Sequence, residues 1–268
     1  LFDLNTLMGL GYPGKTTADN LLGSLQNDHF HQRFNFNPGN VELPVLHFFK
    51  ERSHYDYYWI VEYDVRFSGS WNVFFSAFAG NQSDLLGTTL TRYENLPDWF
   101  HWPSLDLANR PVGKDRYLRG FFPVYRLSRR ALAQLDRDYR EGVKGHFECL
   151  VPTLLDQAGM TIEDIGGDGD FVRPGNRNRF YRNTPTCHTL MPGTFVFRPT
   201  MDRPGNEPNT LWHPVKHSPF WRIALRRLKR ALLQPFRRVG ERGGIAATGA
   251  IAPLEPHVAN PGLTDRSN

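Results

Sequence analysis

Long apolar runs are missing from this 268-residue sequence. None approaches the ~18 residues that a membrane-spanning helix needs, so no such helix is expected. Cysteine is scarce. Cys149 and Cys187 are the two in the chain, too few for a disulfide framework, and no CxxC or Cys/His cluster offers a zinc site. A reducing, cytoplasmic setting is the expectation. An initiator Met and a signal peptide are also missing before Leu1, which suggests a fragment. No internal repeat is present. Excess charge disappears once it is divided along the chain. The total is +5, yet Ser218 to Arg242 holds eight basic residues against Glu241, a net of +7, leaving −2 for the other 243 residues. The body is near neutral, and no nucleic-acid partner is expected.

What is present falls into three zones. Residues 1–217 are rich in aromatics, Gly and Pro and alternate strand-like with helix-like stretches. Residues 218–239 form a basic amphipathic segment, and 240–268 read as a Gly/Pro-punctuated, disordered tail. In the first zone, Asn40 to Lys50 reads as a helix. Tyr57 to Val65 reads as a parallel strand buried on both faces, because its apolar run is nearly continuous. Asp84 to Thr89, Gly120 to Leu127 and Thr194 to Arg198 are further strands. Ser128 is placed to cap a helix over Arg129 to Arg140, and His146 to Gly159 is another helix, with Pro152 a kink or late start. Strands alternating with helices imply an α/β fold with a mainly parallel sheet flanked by helices.

Glu62-Tyr63-Asp64, at the end of the apolar strand, is the strongest chemical feature. Carboxylates at the C-terminal edge of a parallel strand face the crevice where open α/β sheets bind ligands. Acid-x-acid there suits Mg²⁺ or Mn²⁺, which take oxygen ligands and leave positions for phosphate. A solvent-facing strand end with ordinary charges is the plainer alternative.

The ordered blocks WIVEYDVRFSGSW, DLLGTTL, FFPVYRLSRRALAQLD, GHFECLVPTLL and LWHPVK, spanning about residues 45–217, resemble the GT-A glycosyltransferases. The nearer likeness is to a fungal and bacterial branch with an E-x-D-V strand end. The resemblance implies a GT-A-like (nucleotide-diphospho-sugar transferase) domain over 1–217 that uses a nucleotide-sugar donor and a glycan or lipid-linked acceptor. It makes Asp64 the direct metal ligand, with Glu62 near the metal or ribose, although Glu62 stands where the commoner pattern has Asp. It adds His213 to the metal shell and places Lys216 at the diphosphate, where an ammonium offsets leaving-group charge. It also makes Glu148 the base that deprotonates the acceptor, with His146 as substitute. Superfamily members begin with a nucleotide-binding strand and helix, and no clear copy precedes residue 40, so an N-terminally truncated domain is implied.

Trp99 and Trp102, in ENLPDWFHWPSL, are candidates to receive an acceptor, because sugar rings pack their C–H faces on aromatic rings. The alternative is a loop folded down by its own aromatics. Gly9 to Thr16 also satisfies GxxxxGK[ST], which would make Lys15 and Thr16 phosphate ligands of an NTPase or kinase. That motif needs a buried strand before it and a helix after it. In 218–239, Trp221, Leu225, Leu228 and Leu232 share one helical stripe opposite Arg222, Arg226 and Arg230. This pattern suits an anionic membrane surface at the cytoplasmic face, or docking on the domain with the arginines solvated.

Overall fold

A computed structural model describes residues 4–17, 21 and 38–216. The basic segment 218–239 and the tail 240–268 lie outside these residues. Among the described residues no helix is long and apolar enough to cross a membrane. The elements in chain order are helix α1 (Leu4–Met8), helix α2 (Glu42–Glu51), strand β1 (Tyr57–Val61), strand β2 (Arg66–Phe67) and helix α3 (Trp71–Ala77). There follow β3 (Leu85–Gly87), β4 (Thr91–Arg92), β5 (Leu118–Arg119), β6 (Val124–Ser128), helices α4 (Arg129–Arg140) and α5 (Phe147–Gln157), β7 (Ile162–Asp164) and β8 (Leu211–Trp212).

The fold is mixed α/β around a four-stranded sheet of order β1-β6-β3-β7. This corrects the expected mainly parallel sheet. β6 runs antiparallel to both β1 and β3, and only β3 and β7 pair in parallel. Strands β1, β3 and β7 therefore share one direction, and β6 is inserted between the first two against them. β1 is correspondingly an edge strand: Tyr58 is buried, Val61 is exposed and the other three are half-buried. Its large aromatic side chains make the run look fully apolar although one edge is open. β6 and β3 are buried throughout, and in β6 an interior Arg126 interrupts the apolar pattern. Arg126 Nη1 and Nη2 donate to the carbonyls of Phe78, Asn81 and Ser83 at 2.9–3.2 Å, and its guanidinium lies 4.1 Å from the centre of the Tyr57 ring.

α4 starts where Ser128 Oγ accepts the Ala131 N–H at 3.0 Å, and Ser128 in turn donates to buried Asp84 at 2.8 Å. This cap ties the helix start to the chain entering β3. Ala131, Leu132, Leu135 and Tyr139 turn inward and join Leu150, Val151 and Leu154 of α5 in the larger core cluster. A second cluster, with Phe67, Phe74, Phe78, Phe180 and Phe195, packs on the other face of the sheet. The expected strand over Thr194 to Arg198 is reduced to one bridge, Phe195 to His213.

α5 runs through Pro152. Proline has no N–H to give to the carbonyl four residues back, which belongs to Glu148. That carbonyl instead accepts from Gly120 N at 2.8 Å. Thr153 Oγ1, one residue on, accepts from Leu118 N and donates to Leu118 O, each at 3.0 Å. The helix is thereby fastened along the 118–122 segment, and Glu148 is held at its first turn.

Candidate metal centre

The chain leaves β1 at Val61 and turns through Glu62-Tyr63-Asp64 before entering β2. Glu62 N donates to Pro123 O at 2.8 Å and Val65 N donates to Glu62 O at 3.1 Å, so the turn is fixed at both ends. β2 pairs antiparallel with β8, Arg66 opposite Trp212. That pairing delivers the next residue, His213, to the acid pair across 149 residues of chain. Val215 N then donates to Asp64 O at 2.8 Å, which brings Lys216 alongside. The four residues expected from sequence to act together at the donor do come together.

One ligand atom each of Glu62, Asp64 and His213 lies within 4.8 Å of the others. His213 Nε2 is 3.5 Å from Asp64 Oδ1 and 3.7 Å from Glu62 Oε2, and Lys216 Nζ is 3.2 Å from Asp64 Oδ2. The Asp64 and His213 side chains are 4% and 7% exposed, whereas Glu62 is 40% and Lys216 37% exposed, so the cluster opens on one side. Two features fit a divalent cation. Asp64 Oδ1 is buried without a hydrogen-bond partner, and an orphaned buried carboxylate oxygen is costly. His213 Nδ1 lies 2.8 Å from Val196 O, which makes Nδ1 the donor and turns the Nε2 position toward the two acids. This backbone-oriented imidazole is the arrangement that metal-ligating histidines use.

Burial alone would raise the Asp64 carboxyl, but the attraction of His213, 3.5 Å from Oδ1, and of Lys216, 3.2 Å from Oδ2, holds it below its usual range. Burial would lower the His213 imidazole, and the Asp64 and Glu62 carboxylates beside it overcome this and raise it to about 9. The centres of the Phe121 and Phe195 rings, 5.2 and 5.5 Å from that of the imidazole, wall its inner side.

Glu148 lies beside this centre. Its Oε1 accepts the Phe122 N–H at 3.2 Å, and it interacts electrostatically with Glu62 and His213. Burial raises its carboxyl to about 7, opposed by the Phe122 N–H and by the Arg119 charge. Arg119 carries no motif and is not legible as a site residue from sequence. It is buried, its guanidinium lies 5.1 Å from the centre of the Trp99 ring, its Nη2 donates to Pro185 O at 2.9 Å, and burial lowers it to about 10. Val196 and Phe121, which orient and wall His213, were equally silent.

Other expected residues are placed differently. His146 caps α5, its Nδ1 accepting the Glu148 N–H at 3.4 Å. Burial drives its imidazole down to about 2. Its lone pair is spent on the cap, so it is the poorer base. Trp99 and Trp102, expected as an acceptor platform, are 4% and 6% exposed and pack with Leu96 and Cys149. Trp102 Nε1 donates to Leu96 O at 2.8 Å. They fold their loop down, and its exposed ring is Phe100.

Gly9 to Thr16 does not have the setting of a phosphate loop. Helix α1 stands where a strand is needed. Lys15 is buried against Glu42, Nζ to Oε1 2.5 Å, and also donates to Gly145 O at 2.9 Å. Thr16 Oγ1 donates back to Tyr12 O at 2.9 Å. Gly14 is needed for packing, since a Cβ there would lie 2.5 Å from Gly142 O. Comparison with protein-family models, with curated proteins and with solved structures finds no match to this chain.

Proposed function

We propose that this chain is a metal-dependent glycosyltransferase of the GT-A type, which transfers a sugar from a nucleotide diphosphate donor to a glycan or lipid-linked acceptor. The observation that carries the reading is the convergence of Glu62 and Asp64 with His213 and Lys216, with an orphaned carboxylate oxygen at its centre. Asp64 and His213 would hold Mn²⁺ or Mg²⁺, with Glu62 at the open side. When bound, such a cation supplies positive charge for a departing diphosphate.

The chain's own residues supply the rest. Lys216, paired with Asp64 yet 37% exposed, presents an ammonium where phosphate oxygens would lie. Glu148, with its carboxyl raised to about 7, is suited to take the proton of an acceptor hydroxyl near neutral pH. Val196 O keeps His213 in one tautomer and orientation. Phe121 and Phe195 keep water from the back of the imidazole.

Thermal melts with UDP- and GDP-sugars, with and without Mn²⁺, test the reading. Stabilisation that needs both the metal and a nucleotide sugar, and that is lost in Asp64→Ala, is the expected outcome. No response to any nucleotide sugar would overturn it.

A further inference from the structure

A cleft of about 290 Å³ lies between the Gly14–Lys15 turn, the turn at 39–40 and the N-terminus of α5, where His146 lines it two residues before Glu148. Its walls include Lys15, Asn40, His101, Ser104, Lys144 and His146. We propose that this cleft is a carbohydrate subsite that takes the acceptor sugar, with the exposed ring of Phe100 as its stacking platform. The proposal rests on the glycosyl-transfer reading above and deepens it.

The volume is at the small end of the ~300–1,000 Å³ of ligand clefts, which favours a sugar ring over a nucleotide. Each lysine at the cleft already has a carboxylate partner. Lys15 is neutralised by Glu42 at 2.5 Å, and Lys144 pairs with Asp106 at 3.3 Å. What remains is neutral hydrogen-bonding capacity. The His101 and His146 rings stack with centroids 3.7 Å apart and planes 14° apart. Burial lowers them to about 4 and about 2, so both are neutral at physiological pH. A neutral imidazole offers one donor and one acceptor in the ring plane. His146 spends its Nδ1 acceptor on the Glu148 N–H, which makes Nε2 its donor. Such mixed neutral donors and acceptors match sugar hydroxyls, each of which both donates and accepts.

Phe100 supplies the complementary apolar surface. It is 59% exposed, and its ring centre lies 4.2 Å from that of His101. A solvent-facing ring beside polar, uncharged side chains is the pairing that binds the C–H face of a pyranose. The position agrees with transfer chemistry. Glu148 Oε2 is 3.9 Å from His146 Nδ1, and the same carboxylate interacts with Glu62 and His213. A hydroxyl of a sugar in the cleft would thus neighbour the group assigned to take its proton.

Saturation-transfer NMR on the full chain, with methyl α- and β-glucoside, -galactoside and -mannoside as probes, tests the proposal without nucleotide or metal. At least one glycoside is expected to receive saturation at its ring C–H protons. The signal should fall at least about fivefold in Phe100→Ala, an exposed position whose loss leaves the fold intact. Absence of signal from all six, an unchanged signal in Phe100→Ala, or displacement by inorganic phosphate would overturn it. Glycoside binding that survives in His213→Ala while Mn²⁺ binding is lost separates the two sites. Failure of Mn²⁺ to bind the native chain would strike the metal reading alone.

Discussion

Replacing Lys15 by Met decides between two roles for the GxxxxGK[ST] segment. Lys15 and Glu42 are 1% and 2% exposed, and Glu42 Oε1 also accepts from Tyr139 at 3.0 Å while Oε2 has no partner. Removing the ammonium leaves an ionised carboxylate buried with one neutral donor. Breaking a buried pair in this way costs about 3–5 kcal/mol. For a domain of this size about 1 kcal/mol moves the melting temperature by about 2–4 °C, so a drop of about 6–20 °C is expected. Lys15→Met with Glu42→Gln should recover a large part of that loss, because the glutamine is neutral and its carbonyl still accepts from Tyr139. Urea unfolding of both variants, read as a shift in midpoint at constant slope, gives the numbers. A Lys15→Met chain within about 0.5 kcal/mol of native stability would refute the structural role, the more so if nucleotide binding were lost at the same time.

Three further outcomes are expected. Burial would raise the Asp84 carboxyl, but Arg130, Thr161 and Ser128 overcome it and lower the pKa from 3.8 to about 2. The resulting stability is present above pH ~4 and is lost as pH falls toward 2. Discounted for the exposed Arg130, it amounts to about 1–2 kcal/mol. Melts between pH 5 and 2 should therefore fall less steeply in Asp84→Asn, and equal slopes would exclude the linkage. Trp99→Ala should cost about 3–5 kcal/mol as a core cavity, read by urea midpoint, whereas a surface platform would lose less than about 0.5 kcal/mol. Lys216→Met should weaken UDP binding in the presence of Mn²⁺ about tenfold or more while the metal alone still binds. Calorimetry separates the two, and unchanged UDP affinity would remove Lys216 from the donor site.

The candidate site was more legible in the sequence than the sheet was. Acid-x-acid after an apolar run and a late His-Pro-Val-Lys are local signals, and the β2–β8 pairing joins them. Ser128 read correctly as a cap because capping depends on neighbouring residues alone. Strand direction is a non-local property. β6 enters between β1 and β3 from 63 residues beyond β1 and 37 beyond β3, and its buried Arg126 obscured how central it is. For Trp99 and Trp102 the sequence leaves two readings open, because aromatics in a loop serve a mini-core and a sugar platform equally well. What decides between them is burial, visible only once Leu96 and Cys149 are packed alongside. Lys15 shows the same limit, since its partner Glu42 lies 27 residues away and carries no motif.

Titration of Mn²⁺ into the full chain, followed by electron paramagnetic resonance of the free ion, tests the metal centre most directly. One Mn²⁺ should bind per chain, and binding should disappear in Asp64→Asn and in His213→Ala, both of which remove a ligand from the cluster of Glu62, Asp64 and His213. Mn²⁺ that stays free over the native chain, or that binds Asp64→Asn as tightly as the native protein, would contradict the assignment.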